Sequence, residues 1–188
     1  MYNAVFLDRD GTINEDVGDL CSQDKLIFIH GSIAALRILQ EMFLLFIITN
    51  QSGIGKSVFS EEEFLKFNEY FKILLKNEGI AIKHIYYCPH TKEENCICHK
   101  PKPYFLIKAE KDYDINLKTS YVVGDHPHDI EMAHKVGAGS VYLLTGHGAK
   151  HKQELKLLAH PDIVADDLYE AAARIVKKVN RREVSKYG

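Results

Sequence analysis

The chain has 188 residues, 46% of them apolar and 27% charged, with a formal net charge of −2. That length suits one domain with a sizeable core, and the composition excludes a disordered chain. The even charge balance, with no long run of one sign, excludes the basic stripe by which nucleic acid is usually met.

In chain order, Ala4–Leu7 is a short apolar run that ends in a Gly-containing turn, as a buried strand does. Ile33, Ala34, Leu36, Ile38 and Leu39 fall at helical spacing within Ser32–Gln40, and Leu44–Ile48 is the next buried strand. Ser60-Glu-Glu-Glu63 is a capping box that opens a long amphipathic helix ending near Gly79. Ile82–Tyr87 reads as a strand, and Pro103 to about Asp112 as a helix with proline in its first turn. Tyr121–Val123 and Val141–Leu144 are further strands around a helix at Asp129–Val136. Asp162–Val164 is a last short strand, and Asp167–Lys178 a last helix capped by Asp166 or Asp167. Strands alternating with helices of this length predict one α/β domain over residues 1–188, with a parallel sheet and helices on both faces. The His147–His160 region, with a helical segment from about residue 148, holds three histidines and reads as a polar surface helix in preference to a lid or metal patch. The apolar run Met42–Ile48 is far too short for the ~20 residues of a membrane span. The first strand begins almost at Met1 and leaves no room for a signal peptide, so a cytoplasmic setting is expected. No membrane and no obligate protein partner is expected.

In open parallel sheets the ligand lies beyond the carboxyl ends of the strands. Each strand here ends in polar residues: Asp8-Arg-Asp10-Gly-Thr, Thr49-Asn-Gln-Ser, a Cys/His cluster leading to Lys100, and Gly124-Asp125-His-Pro-His-Asp129. Asp8 and Asp10, two residues apart on a strand end, point to one side and repel. A divalent cation removes that conflict, with Asp125 as the third carboxylate, and an all-oxygen set favours Mg²⁺. Phosphoryl transfer then needs an in-line nucleophile, an acid for the leaving oxygen and fixed positive charge, for which Lys100 is the natural cation. The Thr49 hydroxyl and the backbone N–H groups of Asn50, Gln51 and Ser52 are further donors to phosphate.

These four ordered motifs resemble those of the haloacid dehalogenase-like (HAD) phosphohydrolases. The resemblance implies a HAD-type Rossmannoid sheet, with Asp8 as the aspartyl-phosphate and Asp10 as acid to the leaving alcohol, then base to the water. It places Mg²⁺ on Asp8, the carbonyl of Asp10, and Asp125. Asp129 is then either an outer neighbour of the metal or the N-cap of the helix it opens. The spacing from Asp10 to Gly31 and from Thr49 to Lys100 leaves no room for a cap domain, so the substrate is a small phosphorylated metabolite or one presented at an open site.

Cys88-Pro-His90-x5-Cys96-Ile-Cys98 places two close ligand pairs on one loop, residues 88–98, as tetrahedral Zn²⁺ requires. His99 could replace His90 on spacing alone. The ligand order resembles the structural zinc loop of two capless groups, the D-glycero-D-manno-heptose-1,7-bisphosphate 7-phosphatases and the histidinol-phosphate phosphatases. The Asp8–Gly18, Thr49–Ile54 and Leu144-Thr-Gly segments lean to the heptose group. The short spacer before Cys96 is equally like the other. Matching to the heptose group implies substrate contacts at Asp16, Gly18, Asp19, Asn50, Gln51, Ser52, His99, Lys100 and His126. The chain departs from the pattern at His99, where Arg is usual, at His126, where Lys or Arg is usual, and at Asp19, where Tyr is usual. Imidazole carries charge only below about pH 6.5 unless its neighbours intervene, which keeps a monophosphate substrate open beside the bisphosphate. His128 and His134 read as solvated, Lys102 as either a phosphate contact or a solvated side chain, and Cys21 as an ordinary thiol. Gly53-Ile-Gly55-Lys56-Ser57 looks like part of a nucleotide P-loop but lacks its first spaced glycine.

Overall fold

The computed structural model describes the backbone of residues 1–158 and 160–187. Six parallel strands form one sheet: β1 (Ala4–Leu7), β2 (Leu44–Asn50), β3 (Ile82–Cys88), β4 (Tyr121–Gly124), β5 (Gly139–Leu143) and β6 (Ile163–Ala165), in the order β3-β2-β1-β4-β5-β6. The helices are α1 (Ser32–Gln40), α2 (Ser52–Gly55), α3 (Glu61–Asn77), α4 (Tyr104–Tyr113), α5 (Pro127–Val136), α6 (Gly148–Leu158) and α7 (Leu168–Tyr187).

Alternation along β1 explains the layering. Val5 and Leu7 join the cluster that holds Ala35, Leu36 and Leu39 of α1, Phe71 and Leu75 of α3, and Ala171, Ala172 and Ile175 of α7. Ala4 and Phe6 point the other way, into Phe46, Leu106 and Ala109 of α4, and Met132 and Ala133 of α5. Such strands are apolar on both faces because helices cover both faces. Phe6 and Phe46 stack with ring centroids 5.2 Å apart and tie β1 to β2 beneath the site.

The expected capping box is present: Glu63 N–H donates to Ser60 Oγ at 3.2 Å, and Ser60 N–H donates to Glu63 Oε2 at 2.7 Å. Asp167 caps the last helix through Glu170 N–H at 2.8 Å. β5 starts two residues before the expected Val141. Its first residue, Gly139, pairs with Tyr121, and a Cβ there would lie 2.5 Å from the Tyr121 ring. β6 starts one residue late because Asp162 instead pairs with Ser140, taking its N–H at 2.9 Å. α5 opens at Pro127, not Asp129, with the His126 side chain as its cap. Among the described residues no helix is long and apolar enough to cross a membrane. Among the same residues no second sheet or helical bundle interrupts the strand–helix sequence, as expected of a capless chain.

Candidate active site

The order of strands reverses between β1 and β4, and the polar residues meet there. Asp8 comes directly after β1, with its N–H donating to Val123 O of β4 at 2.9 Å. Asp125 comes directly after β4 and Asp129 lies in the first turn of α5, and with Asp8 these carboxylates lie within 4.8 Å of one another. Lys100 enters from the loop after β3. Its Nζ stands 2.9 Å from Asp8 Oδ1 and 2.7 Å from Asp129 Oδ1, and the residue is 5% exposed.

Burial dominates the electrostatics. It raises Asp8 well above the usual carboxylate range against the pull of Lys100, with Asp129 and Asp125 adding to the rise. It raises Asp125 to about 6, opposed by the His147 N–H that donates to Asp125 Oδ2 at 2.7 Å. Burial pushes the Lys100 ammonium down, but Asp129 and Asp8 together outweigh it and hold the ammonium above its ordinary range. Three ionised carboxylates against one ammonium leave two uncompensated negative charges in a buried space, which is costly. A divalent cation cancels that excess. Asp129 Oδ2 is buried with no hydrogen-bond partner. Gly11 and Gly146 leave the space around Asp125 Oδ2 that a Cβ would fill, at 2.2 and 2.3 Å. The donor set is all oxygen, so these residues fit Mg²⁺.

Asp10 sits beside this group, not in it. Arg9, Asn14 and Gln51 all donate to its carboxylate. Gln51 Nε2 also donates to Thr49 Oγ1 at 2.8 Å, which fixes that hydroxyl on the cleft floor. The Gln51 N–H is taken by Cys88 O at 2.7 Å, so it is not a donor to the cleft, and Ser52 opens α2 instead of continuing a turn. Asn50 Oδ1 accepts from Lys100 N–H at 3.1 Å, and its Nδ2 lies 3.3 Å from His99 Nδ1. The whole cleft measures about 380 Å³. Its lining brings together Asp8, Asp10, Asp16, Gly18, Asp19, Thr49, Asn50, Gln51, Ser52, His99, Lys100, Asp125, His126 and Asp129, every residue that the sequence places at the magnesium and substrate site.

Cys88, His90, Cys96 and Cys98 form the second cluster. Their Sγ atoms stand 3.2 to 3.5 Å apart, and His90 Nδ1 is 3.7 Å from Cys88 Sγ and 3.5 Å from Cys98 Sγ. A Zn–S bond of ~2.3 Å implies a tetrahedral edge of ~3.8 Å, so the four donors are close to the size of a zinc site. Burial raises the Cys88 and Cys98 thiols; at Cys96 hydrogen bonds from Cys88 and Cys98 overcome burial and lower it. His99 turns away to Asn50 and to Lys100 O, 2.8 Å from its Nδ1, leaving His90 as the fourth donor.

Several residues lie elsewhere than their sequence context suggests. Of the two readings of Asp129 only the N-cap of α5 fails; the residue is 1% exposed, bonded to Lys100 and grouped with Asp8 and Asp125. Lys102 neither faces phosphate nor hangs in solvent: its Nζ donates to Asn95 Oδ1 at 2.6 Å and Cys96 O at 2.7 Å, locking the Cys/His loop. His128 is half-buried in the cleft lining, with burial and then His126 depressing it to about 4. His147 also lines the cleft, and its Nδ1 stands 3.2 Å from Asp16 Oδ2. Its sequence signal is the Thr145-Gly146 pair: Thr145 Oγ1 donates to Gly11 O at 2.6 Å, and Gly146 has φ 52°.

The sequence and the fold have known relatives. A HAD-hydrolase-like family model matches residues 97–171. The chain is 39% identical over 178 residues to the D-glycero-β-D-manno-heptose-1,7-bisphosphate 7-phosphatase of Pasteurella multocida, covering 91% of this chain and 90% of that one. It is 39% identical over 136 residues to a protein of Thermoplasma volcanium named a probable phosphatase of the same kind, covering 71% and 92%. The crystal structure of D,D-heptose 1,7-bisphosphate phosphatase from B. bronchiseptica, complexed with magnesium and phosphate, superposes with a TM-score of 0.86 at 28% identity over 94% of this chain and 99% of that one. The fold is that of the HAD-like hydrolases, and within them the chain belongs to the phosphatase family of the D-glycero-D-manno-heptose-1,7-bisphosphate 7-phosphatases. It is a phosphatase.

Proposed function

We propose that the chain hydrolyses the 7-phosphate of D-glycero-D-manno-heptose 1,7-bisphosphate in the cytoplasm. The observation that carries this reading is the Asp8–Lys100–Asp129 arrangement beside Asp125 at the switch point, at 39% identity to the Pasteurella enzyme along nearly the whole chain.

Asp8 is the nucleophile in this reading. One of its oxygens attacks phosphorus in line, the P–O bond to the sugar breaks, and Asp10 gives its proton to the departing oxygen. Asp10, now a carboxylate, takes a proton from water as that water attacks phosphorus. The P–O bond to Asp8 breaks and inorganic phosphate leaves. Lys100 holds Asp8 in place and meets the negative charge of the transferring group, and Thr49 donates to it. Asp8, Asp125 and the carbonyl of Asp10 would hold Mg²⁺, which when bound supplies positive charge to the phosphoryl oxygens. Cys88, His90, Cys96 and Cys98 would hold Zn²⁺, which ties down the loop that delivers Lys100. Asp16, Gly18, Asp19, Asn50, Ser52, His99 and His126 wall the cleft where the sugar would lie.

The test is steady-state kinetics on a panel of heptose 1,7-bisphosphate, heptose 7-phosphate and histidinol phosphate. The reading expects kcat/KM to be highest on the bisphosphate. Preference for histidinol phosphate would move the chain to the other capless group while keeping the chemistry.

A further inference from the structure

Arg9 has no task in these steps, although it stands between the nucleophile and the acid. Its backbone N–H donates to Asp8 Oδ1 at 2.8 Å. Its side chain is 0% exposed and forks onto Asp10, with Nε 3.1 Å from both carboxylate oxygens and Nη2 2.8 Å from Oδ2. Nη2 also donates to Leu20 O at 3.3 Å. The guanidinium carbon lies 5.1 Å from the Phe67 ring centroid and 5.6 Å from that of Phe64.

Stability does not account for this residue. Burying a cation has a large desolvation cost, and an apolar side chain of similar volume commonly serves a fold as well or better. Between two phenylalanines of α3 such a side chain would pack readily. What arginine alone offers here is a rigid planar fork that fixes the plane of a carboxylate in two directions. Asn14 Nδ2 and Gln51 Nε2 complete the grip, at 2.9 Å on Oδ1 and 3.1 Å on Oδ2. Asp10 is thereby referenced to α3 through Arg9, to the segment ending at Leu20, and to Thr49 through Gln51.

We propose that Arg9 is a positioning residue that aims the Asp10 carboxyl group at the leaving oxygen, so that it governs proton transfer and not phosphate binding. The proposal rests on the acid/base reading of Asp10. When the P–O bond to the alcohol breaks, the electron pair left on oxygen takes the Asp10 proton, and the carboxylate that remains faces the guanidinium. The advantage is greatest where the departing oxygen is strongly basic, as in a sugar phosphate. It is small for p-nitrophenyl phosphate, whose phenolate leaves with little need of a proton.

The experiment compares Arg9→Lys, Phe67→Leu and Asp10→Asn with wild type on p-nitrophenyl phosphate and on the sugar phosphate that wild type hydrolyses best. General acid catalysis is commonly ~10²–10⁴-fold, so misaiming Asp10 in Arg9→Lys should lower kcat on the sugar phosphate by about 10–100-fold. In the first turnover, read as release of the leaving group before the hydrolysis step that both substrates share, the loss on the aryl phosphate should be a few-fold at most, with KM little changed on either. Phe67→Leu, which keeps Arg9 but removes one ring from it, should show the same split at smaller size. Equal losses on both substrates in Arg9→Lys, while Asp10→Asn still splits them, would overturn the positioning role alone. If Arg9→Lys does not fold, as judged by circular dichroism, Phe67→Leu decides, and an unsplit response overturns the role. An Asp10→Asn that leaves the first-turnover release of the two leaving groups unsplit would overturn the acid reading of Asp10 and this inference with it.

Discussion

Raising pH should destabilise the metal-free protein in the acid range, and magnesium should relieve it. Asp125 is 3% exposed and raised to about 6, from an ordinary value of 3.8. A carboxylate raised on folding binds more protons in the native state, so its contribution is fully present below about pH 4 and lost as pH climbs through 6. Asp8 is raised for the same reason and adds to the loss. At about 1.4 kcal/mol per pH unit, Asp125 alone corresponds to roughly 3 kcal/mol. A cation that needs the ionised carboxylate must compete with that proton. At pH 7.5, Mg²⁺ at a hundred times its Kd stabilises by ~2.7 kcal/mol. At pH 5 the Asp125 proton alone weakens the affinity by about tenfold and the Asp8 proton adds to that, so the gain falls to ~1.4 kcal/mol or less. For a chain of this size a kilocalorie moves Tm by ~2–4 °C, so the magnesium-induced rise should be ~5–10 °C at pH 7.5 and about half that or less at pH 5. Differential scanning fluorimetry with and without Mg²⁺ measures both, with Asp125→Asn as control. An equal rise at both pH values, or an undiminished rise in Asp125→Asn, would refute the reasoning.

Asp8→Asn should remove nearly all turnover on any substrate, and Asp10→Asn nearly all turnover on the sugar phosphate, while circular dichroism stays as in wild type; more than a few per cent of activity in Asp8→Asn contradicts a covalent route. Lys100→Met strands the Asp129 carboxylate in the interior, which for a broken buried pair is ~3–5 kcal/mol destabilising by urea unfolding. Protein treated with EDTA should regain activity with Mg²⁺ alone while elemental analysis still finds one zinc per chain. A zinc-free preparation with full activity and unchanged Tm would remove the structural role of the Cys/His loop.

Much of the fold and site is legible in the sequence because the information is local. β1 is an apolar tetrapeptide with Asp8 directly after it, and Ser60 and Glu63 are three residues apart, so periodicity and spacing suffice. Asp8, Thr49, Lys100 and Asp125 can be assembled from the sequence alone because parallel strands present their carboxyl ends on one edge. The features that escape depend on distant partners. Arg9, charged and at a strand end, gives no sign that Phe64 and Phe67 of α3 will enclose it. Lys102 reads as solvated until the loop folds back and offers it the Asn95 and Cys96 oxygens. His147 lies 131 residues from Asp16 in sequence and beside it in space. The early start of β5 is hidden because Gly139 and Ser140 are not apolar; they belong to the strand through pairing with β4.

Turnover by this route requires a phosphoryl group carried on Asp8. Wild type should be mixed with heptose 1,7-bisphosphate labelled at the 7-phosphate, quenched in acid within the first turnover, and digested for mass spectrometry. The covalent route predicts a hydroxylamine-labile phosphoryl group on the peptide that contains Asp8, formed before free phosphate appears and absent from Asp8→Asn. Release of labelled phosphate with no labelled protein at any time, or label on another residue, would contradict it.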